Sequence, residues 1–156
     1  MTKQIHLETL NGARGTQETL EDNKRTARQF IESLQDLTGT TSASLMSESA
    51  TWQVMARSKT LPLGEKLSKH QFCIMVQSMQ SFFPKGVRHE IRSTTAEEDR
   101  VAIETESYAE MPSGRVYNNM YHFLLRIHGG KVESVQEYTD LLYAKEVVFD
   151  PASGSI

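Results

Sequence analysis

Residues 87–140 decide the fold, and they read VRHEIRSTTAEEDRVAIETESYAEMPSGRVYNNMYHFLLRIHGGKVESVQEYTD. Apolar and polar residues alternate through this stretch with a period of two, which is the pattern of half-buried β-strands. Three short segments interrupt the alternation: Glu97-Glu98-Asp99, Pro112-Ser113-Gly114 and Gly129-Gly130. The pattern therefore predicts antiparallel strands at 87–96, 99–111, 115–128 and 131–140, joined as hairpins.

The first predicted helix lies upstream of these strands. Thr19 and Asp22 form its start signal, and Gly39 with the following Thr/Ser run ends it. Its apolar stripe contains Ala27, Phe30, Ile31 and Leu34. Residues 50–55 then indicate a short strand, which the Leu61-Pro62-Leu63-Gly64 segment ends.

The second predicted helix begins with a capping box, in which Ser68 is followed three residues later by Gln71. Pro84-Lys85-Gly86 ends it, since proline and glycine both terminate helices. Its apolar side chains recur at helical spacing along one face: Phe72, Met75, Val76, Met79 and Phe83. A further short helix is predicted at 141–148.

Helices first and strands last predict an α+β fold, with N-terminal helices packed on one face of a curved antiparallel sheet. The domain is expected to span residues 17–149. Residues 1–16 are polar and lack periodicity, so they are interpreted as a flexible arm, and 150–156 as a flexible tail.

The predicted strand at 115–128 is apolar on both faces. One face carries Tyr117, Asn119, Tyr121, Phe123, Leu125 and Ile127. The other face carries Val116, Met120 and Leu124. Because a sheet that is apolar on both sides needs a second cover, the pattern predicts a homodimer.

Composition excludes several classes of partner. The formal net charge is -3, and the basic residues are scattered, which argues against nucleic acid or an anionic membrane. The apolar runs are too short to span a bilayer, and the N-terminal residues lack the apolar middle of a secretory signal. Cys73 is the single cysteine, so neither a disulfide framework nor a cysteine metal site can form within one chain. We expect a cytoplasmic protein without a metal or cofactor.

Two segments, GRVYNNMYHF at 114–123 and GKVESVQEYTD at 130–140, carry a family resemblance. Together with Trp52 and the Leu61–Gly64 turn, they resemble the SnoaL-like branch of the nuclear-transport-factor-2-like (NTF2-like) superfamily. The resemblance covers about 18–148. It implies a cone-shaped fold in which helices and a concave sheet face enclose a deep apolar pocket, suited to a small hydrophobic ligand. The fold hosts enzymes, binding proteins and transport adaptors, so it does not specify function by itself.

Ketosteroid isomerase is one member with which the chain can be compared position by position. The resemblance places Val54 where the isomerase has its general base, and Phe30 near its oxyanion tyrosine. Tyr121 falls near the second oxyanion donor and keeps a hydroxyl. Because valine cannot take a proton, steroid isomerisation with the family's own base is not expected.

Limonene epoxide hydrolase is a second comparison. The resemblance places Glu104 at its arginine, and Glu106 and Glu137 at its two aspartates. Trp52 and Val54 stand where the tyrosine and asparagine hold the attacking water. Since the bridging cation is replaced by a third acid, ordinary epoxide hydrolysis is not expected either.

The acids that remain suggest another chemistry. If Glu106 and Glu137 share a dry pocket, repulsion and desolvation raise at least one pKa toward neutrality, which suits proton transfer. Tyr117, Tyr121 or Asn119 can then hydrogen-bond a developing oxyanion. We therefore expect a cofactor-independent lyase or isomerase, catalysing dehydration, retro-aldol cleavage or a proton shift. Its substrate is expected to be aromatic, steroid-like or polyketide-like, bound by Trp52, Val54, Phe72, Met75, Asn119 and Asp140.

Several alternatives stay open. By strand periodicity alone, Glu104, Glu106 and Glu110 form a solvated acidic edge, because Val101 and Ile103 occupy the opposite face. Asp140 equally fits a cap of the closing helix. His89 and His122 are alternative bases. A non-catalytic ligand-binding or assembly module, and an epoxide hydrolase with altered acids, are the competing functions.

Overall fold

The computed structural model describes residues 19–57 and 63–149, and within them the strands form one seven-stranded mixed sheet. Its strands are β1 (Met46–Val54), β2 (Lys66–Ser68), β3 (Arg88–Glu97), β4 (Arg100–Glu110), β5 (Val116–Tyr117), β6 (Met120–His128) and β7 (Lys131–Thr139). Their order across the sheet is β2-β1-β7-β6-β4-β3, and β5 pairs with β4. The expected arm at 1–16 and tail at 150–156 lie outside the described residues.

The hairpins β3–β4 and β6–β7 and the β4–β6 pairing confirm the antiparallel core expected from the alternation. The expectation that every strand pair is antiparallel is wrong, because β1 runs parallel to β7 and makes the sheet mixed. That pairing joins strands more than 70 residues apart in sequence, as in the register between Val54 and Glu137. Register shifts in three strand pairs bend the sheet into a curled half-barrel.

The strand expected at 115–128 is broken at Asn118 and Asn119. Beside this break, β4 changes its partner strand. Ala109 of β4 pairs with β5, whereas Glu106 of β4 pairs with β6. Ser107 lies at the junction, where its backbone N–H donates to the Asn119 carbonyl at 2.8 Å. The chain therefore changes direction at Asn118 and Asn119, while a backbone hydrogen bond to β4 is still formed there.

The helices cover one side of the sheet. The first, α1, occupies residues 19–33 of the described chain, so Thr19 is already helical. A short α2 (Thr40–Leu45) and the strand β2 were not expected from the sequence, since neither is long enough to show a period. The capping box of Ser68 and Gln71 at the start of α3 (Lys69–Ser78) is confirmed. After β7, α4 (Leu141–Ala144) and a π-helical turn (Lys145–Phe149) confirm the closing helix.

The core lies between the helices and the inner sheet face, and aromatic rings dominate it. Phe30, Phe72 and Phe123 are almost fully buried. Trp52 stacks on Phe72 with 4.8 Å between ring centroids and lies 5.8 Å from Phe123. Phe30 on α1 lies 6.1 Å from Trp52, so these ring contacts join α1, β1, α3 and β6 and hold the indole of Trp52 on several sides.

The outer sheet face is more exposed to solvent than the inner face, which packs against the helices. Its exposed large hydrophobic side chains are Tyr108, Val116, Met120 and Tyr138. This pattern agrees with the two-faced apolar strand seen in the sequence, and the homodimer stays a prediction. None of the helices described within 19–57 and 63–149 is long and apolar enough to cross a bilayer.

Candidate active site

A cavity of about 160 Å³ lies between the helices and the inner face of the curled sheet. Most of its wall is apolar, contributed in part by Leu34, Trp52, Val54, Phe72, Met75, Phe83 and Phe123. The polar side chains that reach it are His89, Tyr117, Tyr121, Glu137 and Thr139. A mostly apolar cavity with a few converging polar groups is the usual form of a small-molecule site.

Glu137 reaches the cavity because it shares the inward face of β7 with Val135 and Thr139. Across the sheet it stands opposite Phe123 on β6 and beside Val54 on β1. The indole Nε1–H of Trp52 donates to its Oε2 at 3.1 Å. Among the described residues it forms no ion pair with a basic side chain.

This environment changes the acidity of Glu137. Burial raises the pKa of its carboxyl from 4.5 to about 7, and the hydrogen bond from Trp52 acts in the opposite direction. The residue keeps some accessible surface, but that surface lies on the cavity wall. A carboxyl group with a pKa near neutrality can take up and release a proton under physiological conditions.

A pair of tyrosines lies on the same wall. The hydroxyl oxygens of Tyr117 and Tyr121 are 2.7 Å apart. Burial raises the pKa of Tyr117 and raises that of Tyr121 well above its usual value of 10. Both hydroxyls therefore stay protonated near neutral pH and can act as hydrogen-bond donors.

His89 also lines the cavity, from β3. Its Nδ1 lies 3.2 Å from the Thr105 hydroxyl, and its ring packs edge-on against Tyr121 and Phe123. Burial lowers the pKa of His89 to about 4. The imidazole is neutral near pH 7, which makes it a weaker base than Glu137 and leaves it one hydrogen-bond donor and one acceptor.

Glu106 does not enter the cavity, so the expectation that it shares a pocket with Glu137 is wrong. Thr105 and Ser107 take the inward positions of β4, which leaves Glu106 on the outer face. There it forms an ion pair with Arg92 and accepts a hydrogen bond from Asn118 Nδ2 at 3.0 Å. The Arg92 hydrogen bond lowers the pKa of Glu106, with a smaller contribution from Asn118. The strand-periodicity interpretation, an outward acidic edge, is the correct one.

The other sequence-derived residues lie in four different places. Trp52, Val54, Phe72 and Met75 line the cavity, and their role in binding a substrate stays a prediction. Asn119 lies behind the wall and donates to Tyr117. Asp140 does not line the cavity but caps α4, accepting from the Tyr143 N–H at 3.0 Å. His122 is exposed on the outer side, next to Tyr138.

Sequence reasoning missed Thr139 and Leu141 as wall residues. The signal for Thr139 was present, since it lies two residues beyond Glu137 on a strand and therefore shares its face. No set of three His, Cys, Asp or Glu side chains within 19–57 and 63–149 is grouped so that it could hold a metal ion.

No family model and no curated protein sequence matches this chain. Solved structures do match it. AusH from Aspergillus nidulans is 20% identical with a TM-score of 0.68, covering 78% of this chain and 85% of its own. An LEH-like epoxide hydrolase from M. tuberculosis is 12% identical with a TM-score of 0.67, covering 84% of this chain and 92% of its own.

A third match is a protein of ketosteroid isomerase-like fold from Catenulispora acidiphila, solved in complex with trimethylamine. It is 16% identical with a TM-score of 0.68, covering 84% of this chain and 97% of its own. At such identities the likeness establishes the fold alone. The chain has the NTF2-like fold, as found in ketosteroid isomerase-like and SnoaL-like proteins, and this confirms the fold that the resemblance in its C-terminal half implies.

Proposed function

We propose that this chain is a cofactor-independent lyase or isomerase that uses Glu137 as its proton-transfer group. One observation carries the proposal: a carboxyl group with a pKa of about 7 lies in an apolar cavity beside two protonated tyrosines. A base of this strength is matched to abstraction of a proton next to a carbonyl at neutral pH. The tyrosines supply hydrogen bonds where negative charge would develop on oxygen.

The proposed reaction begins with the carboxylate form of Glu137. It takes a proton from the carbon next to the substrate carbonyl, and the electron pair of that C–H bond moves toward oxygen to give an enolate. A tyrosine hydroxyl stabilises the enolate oxygen with a hydrogen bond. Protonated Glu137 then returns the proton, either to a different carbon, which completes an isomerisation, or to a departing hydroxyl, which completes a dehydration.

The size and polarity of the cavity narrow the substrate class. A cavity of about 150 Å³ holds a benzene-sized molecule, and the volume here is about 160 Å³. This favours one ring over a four-ring steroid. Among the described wall residues none is Lys or Arg, so an uncharged substrate fits better than a carboxylate or phosphate.

An experiment with simple model ketones tests this proposal without knowledge of the natural substrate. Cyclohexenone and acetophenone are incubated with the protein in heavy water, and loss of the proton signals next to the carbonyl is followed by NMR. We expect Glu137→Gln to slow protein-catalysed exchange by about 10²- to 10⁴-fold. Glu106→Gln is the matched control and should leave the exchange rate unchanged. Equal exchange by wild type and Glu137→Gln would exclude this role.

A non-catalytic binding site is the second candidate function. It is favoured by a buried carboxyl group that has no basic partner among the described residues and is surrounded by aromatic rings, a setting that suits a small organic cation. The Catenulispora relative of the same fold was solved with trimethylamine. Calorimetric titration with trimethylammonium decides between the two, because affinity should rise with pH through about 7 as Glu137 ionises.

A further inference from the structure

The side chain of Asn119 is held in one orientation by two backbone groups. It is buried, with 3% of its surface exposed. The Met120 N–H donates to its Oδ1 at 2.8 Å, and its Nδ2 donates to the Asp140 carbonyl at 3.0 Å. A backbone N–H can only donate and a carbonyl can only accept, so these partners assign the amide oxygen and nitrogen without ambiguity.

The remaining hydrogen of Asn119 Nδ2 points at the Tyr117 hydroxyl, 2.8 Å away. Tyr117 therefore acts as an acceptor toward Asn119. Its own hydrogen is then available for the Tyr121 oxygen at 2.7 Å. In this arrangement Tyr121 accepts from Tyr117, and its own hydrogen is turned away from Tyr117, toward the cavity wall, where the Thr139 hydroxyl is its other hydrogen-bonding neighbour.

We propose that Asn119 is a positioning residue that sets the direction of a hydrogen-bond chain running from Asn119 through Tyr117 to Tyr121, so that Tyr121 presents a donor to the cavity. The inference rests on the proposed function and adds a substrate requirement to it. A ligand must place an acceptor oxygen, such as a carbonyl, an enolate or a phenolate, at the Tyr121 end. Each donor in such a chain polarises the next, which strengthens the terminal hydrogen bond.

Direction matters because a tyrosine pair alone does not specify it. If Tyr121 donated to Tyr117, its oxygen would face the cavity as an acceptor and would repel a developing oxyanion. An aspartate at position 119 has nearly the same shape but, when ionised, can only accept. In Asn119→Asp we therefore expect Tyr117 to donate to the new carboxylate and Tyr121 to donate to Tyr117, which reverses the chain.

The test uses para-nitrophenol as a one-ring probe whose absorbance reports whether it is bound as phenol or phenolate. All measurements are made in a Glu137→Gln background, which removes the competing charge and the proposed base. The result therefore does not depend on whether the protein turns over any substrate. Para-nitrotoluene, which lacks the hydroxyl, serves as the control ligand for the shape of the cavity.

We expect the starting protein to bind para-nitrophenol with its ionisation shifted toward phenolate. Adding Tyr121→Phe or Asn119→Asp should reduce the bound phenolate-to-phenol ratio by about ten-fold or more, since a hydrogen bond to a charged group is lost. Affinity for para-nitrotoluene should stay the same in both variants. A residue with a purely structural role would instead weaken both ligands together.

Should Asn119→Asp fail to fold, Tyr117→Phe keeps the test decisive. It leaves the Tyr121 hydroxyl in place but disconnects it from Asn119, so an intermediate loss of bound phenolate is expected. The proposal is overturned if Tyr117→Phe abolishes the shift while Tyr121→Phe leaves it intact, because Tyr117 would then be the terminal donor. It is also overturned if Asn119→Asp folds and leaves the ratio unchanged.

Discussion

The indole N–H of Trp52 donates to the carboxylate of Glu137 at 3.1 Å, across the parallel pairing of β1 with β7. This is the one polar contact to the carboxylate within the described chain, and it opposes the effect of burial on the Glu137 pKa. Trp52 in turn is held by its stacking on Phe72. The acidity of the proposed catalytic group is thus set mainly by burial and is moderated by a hydrogen bond from an aromatic core residue.

Replacing Trp52 with phenylalanine should raise the Glu137 pKa further above 7, because the hydrogen bond that favours the carboxylate is removed. The pH midpoint of proton exchange in heavy water should move upward by about one unit. Phe72→Leu removes the stacking partner but keeps the hydrogen-bond donor, so it should move the midpoint by much less than Trp52→Phe does. An unchanged midpoint in Trp52→Phe would contradict this account.

Stability should depend on pH in opposite senses at the two glutamates. The pKa of Glu137 is raised in the folded state, so its stabilising contribution is present below pH 4.5 and is lost as the pH rises through about 7. At about pH 8, Glu137→Gln should therefore be more stable than wild type by on the order of 1–3 kcal/mol. The pKa of Glu106 is lowered, so its contribution is present above its ordinary value of 4.5 and is lost at lower pH. Urea denaturation across the pH range measures both, and Glu106→Gln should reduce only the loss on acidification.

His89 should not set the pH dependence of activity near neutrality. Because its pKa is lowered to about 4, it is already neutral where Glu137 titrates at about 7. We expect kcat/KM for a substrate identified by the exchange assay to rise with pH through about 7 in both wild type and His89→Gln. If His89→Gln abolished that rise, the histidine and not the carboxylate would be the base.

A side chain at Gly86 should lower the stability of the fold for two reasons, the backbone angle and a steric clash. Its φ is +82°, and an added Cβ would lie 2.3 Å from the carbonyl oxygen of Gln35, in the turn that follows α1. Gly114 has nearly the same angle, +84°, but nothing lies within 4 Å of an added Cβ. We expect Gly114→Ala to cost about 1 kcal/mol and Gly86→Ala more than about 2 kcal/mol, measured by urea denaturation. Equal losses of unfolding free energy in the two variants would mean that the backbone at Gln35 moves away from the added Cβ without a further loss of stability.

The outer sheet face predicts self-association. Met120 is 60% exposed and Val116 is 43% exposed on this face. We propose that a second copy of the chain covers it, and we expect a dimer by light scattering. Met120→Asp should give a monomer, because a buried charge without a partner is costly. Ile74→Asp is the control, since Ile74 is exposed on α3, on the helical side of the sheet.

Local sequence patterns predicted the parts of the fold that depend on local structure. The alternation of β4 correctly placed Val101 and Ile103 inside and the glutamates outside. The family comparison pointed Glu106 inward and was wrong, because an aligned position does not carry over the local geometry of another protein. The capping roles of Ser68 and Asp140 were visible because a cap is a contact between near neighbours.

What the sequence could not indicate were the non-local contacts. Nothing in residues 50–55 marks them as parallel partners of β7, and the bond from Trp52 to Glu137 follows from that pairing. The break at Asn118 and Asn119 was hidden because odd-numbered positions face inward and even-numbered ones outward on both sides of it, as in one continuous strand. Hence the sequence suggested Tyr117, Tyr121 and Glu137 as site residues but not the contacts among them.

The position of β7 in the sheet has a consequence for how the chain reaches its native state. The last of the strands described within 19–149 is an interior one, flanked by β1 and β6, so the sheet remains in two pieces until the polypeptide has been made through Thr139. Until then one edge of β1 and one edge of β6 have no partner strand, and the long sequence separation of β1 and β7 slows the final assembly. A chain truncated before β7 would therefore lack both Glu137 and the strand that joins β1 to β6.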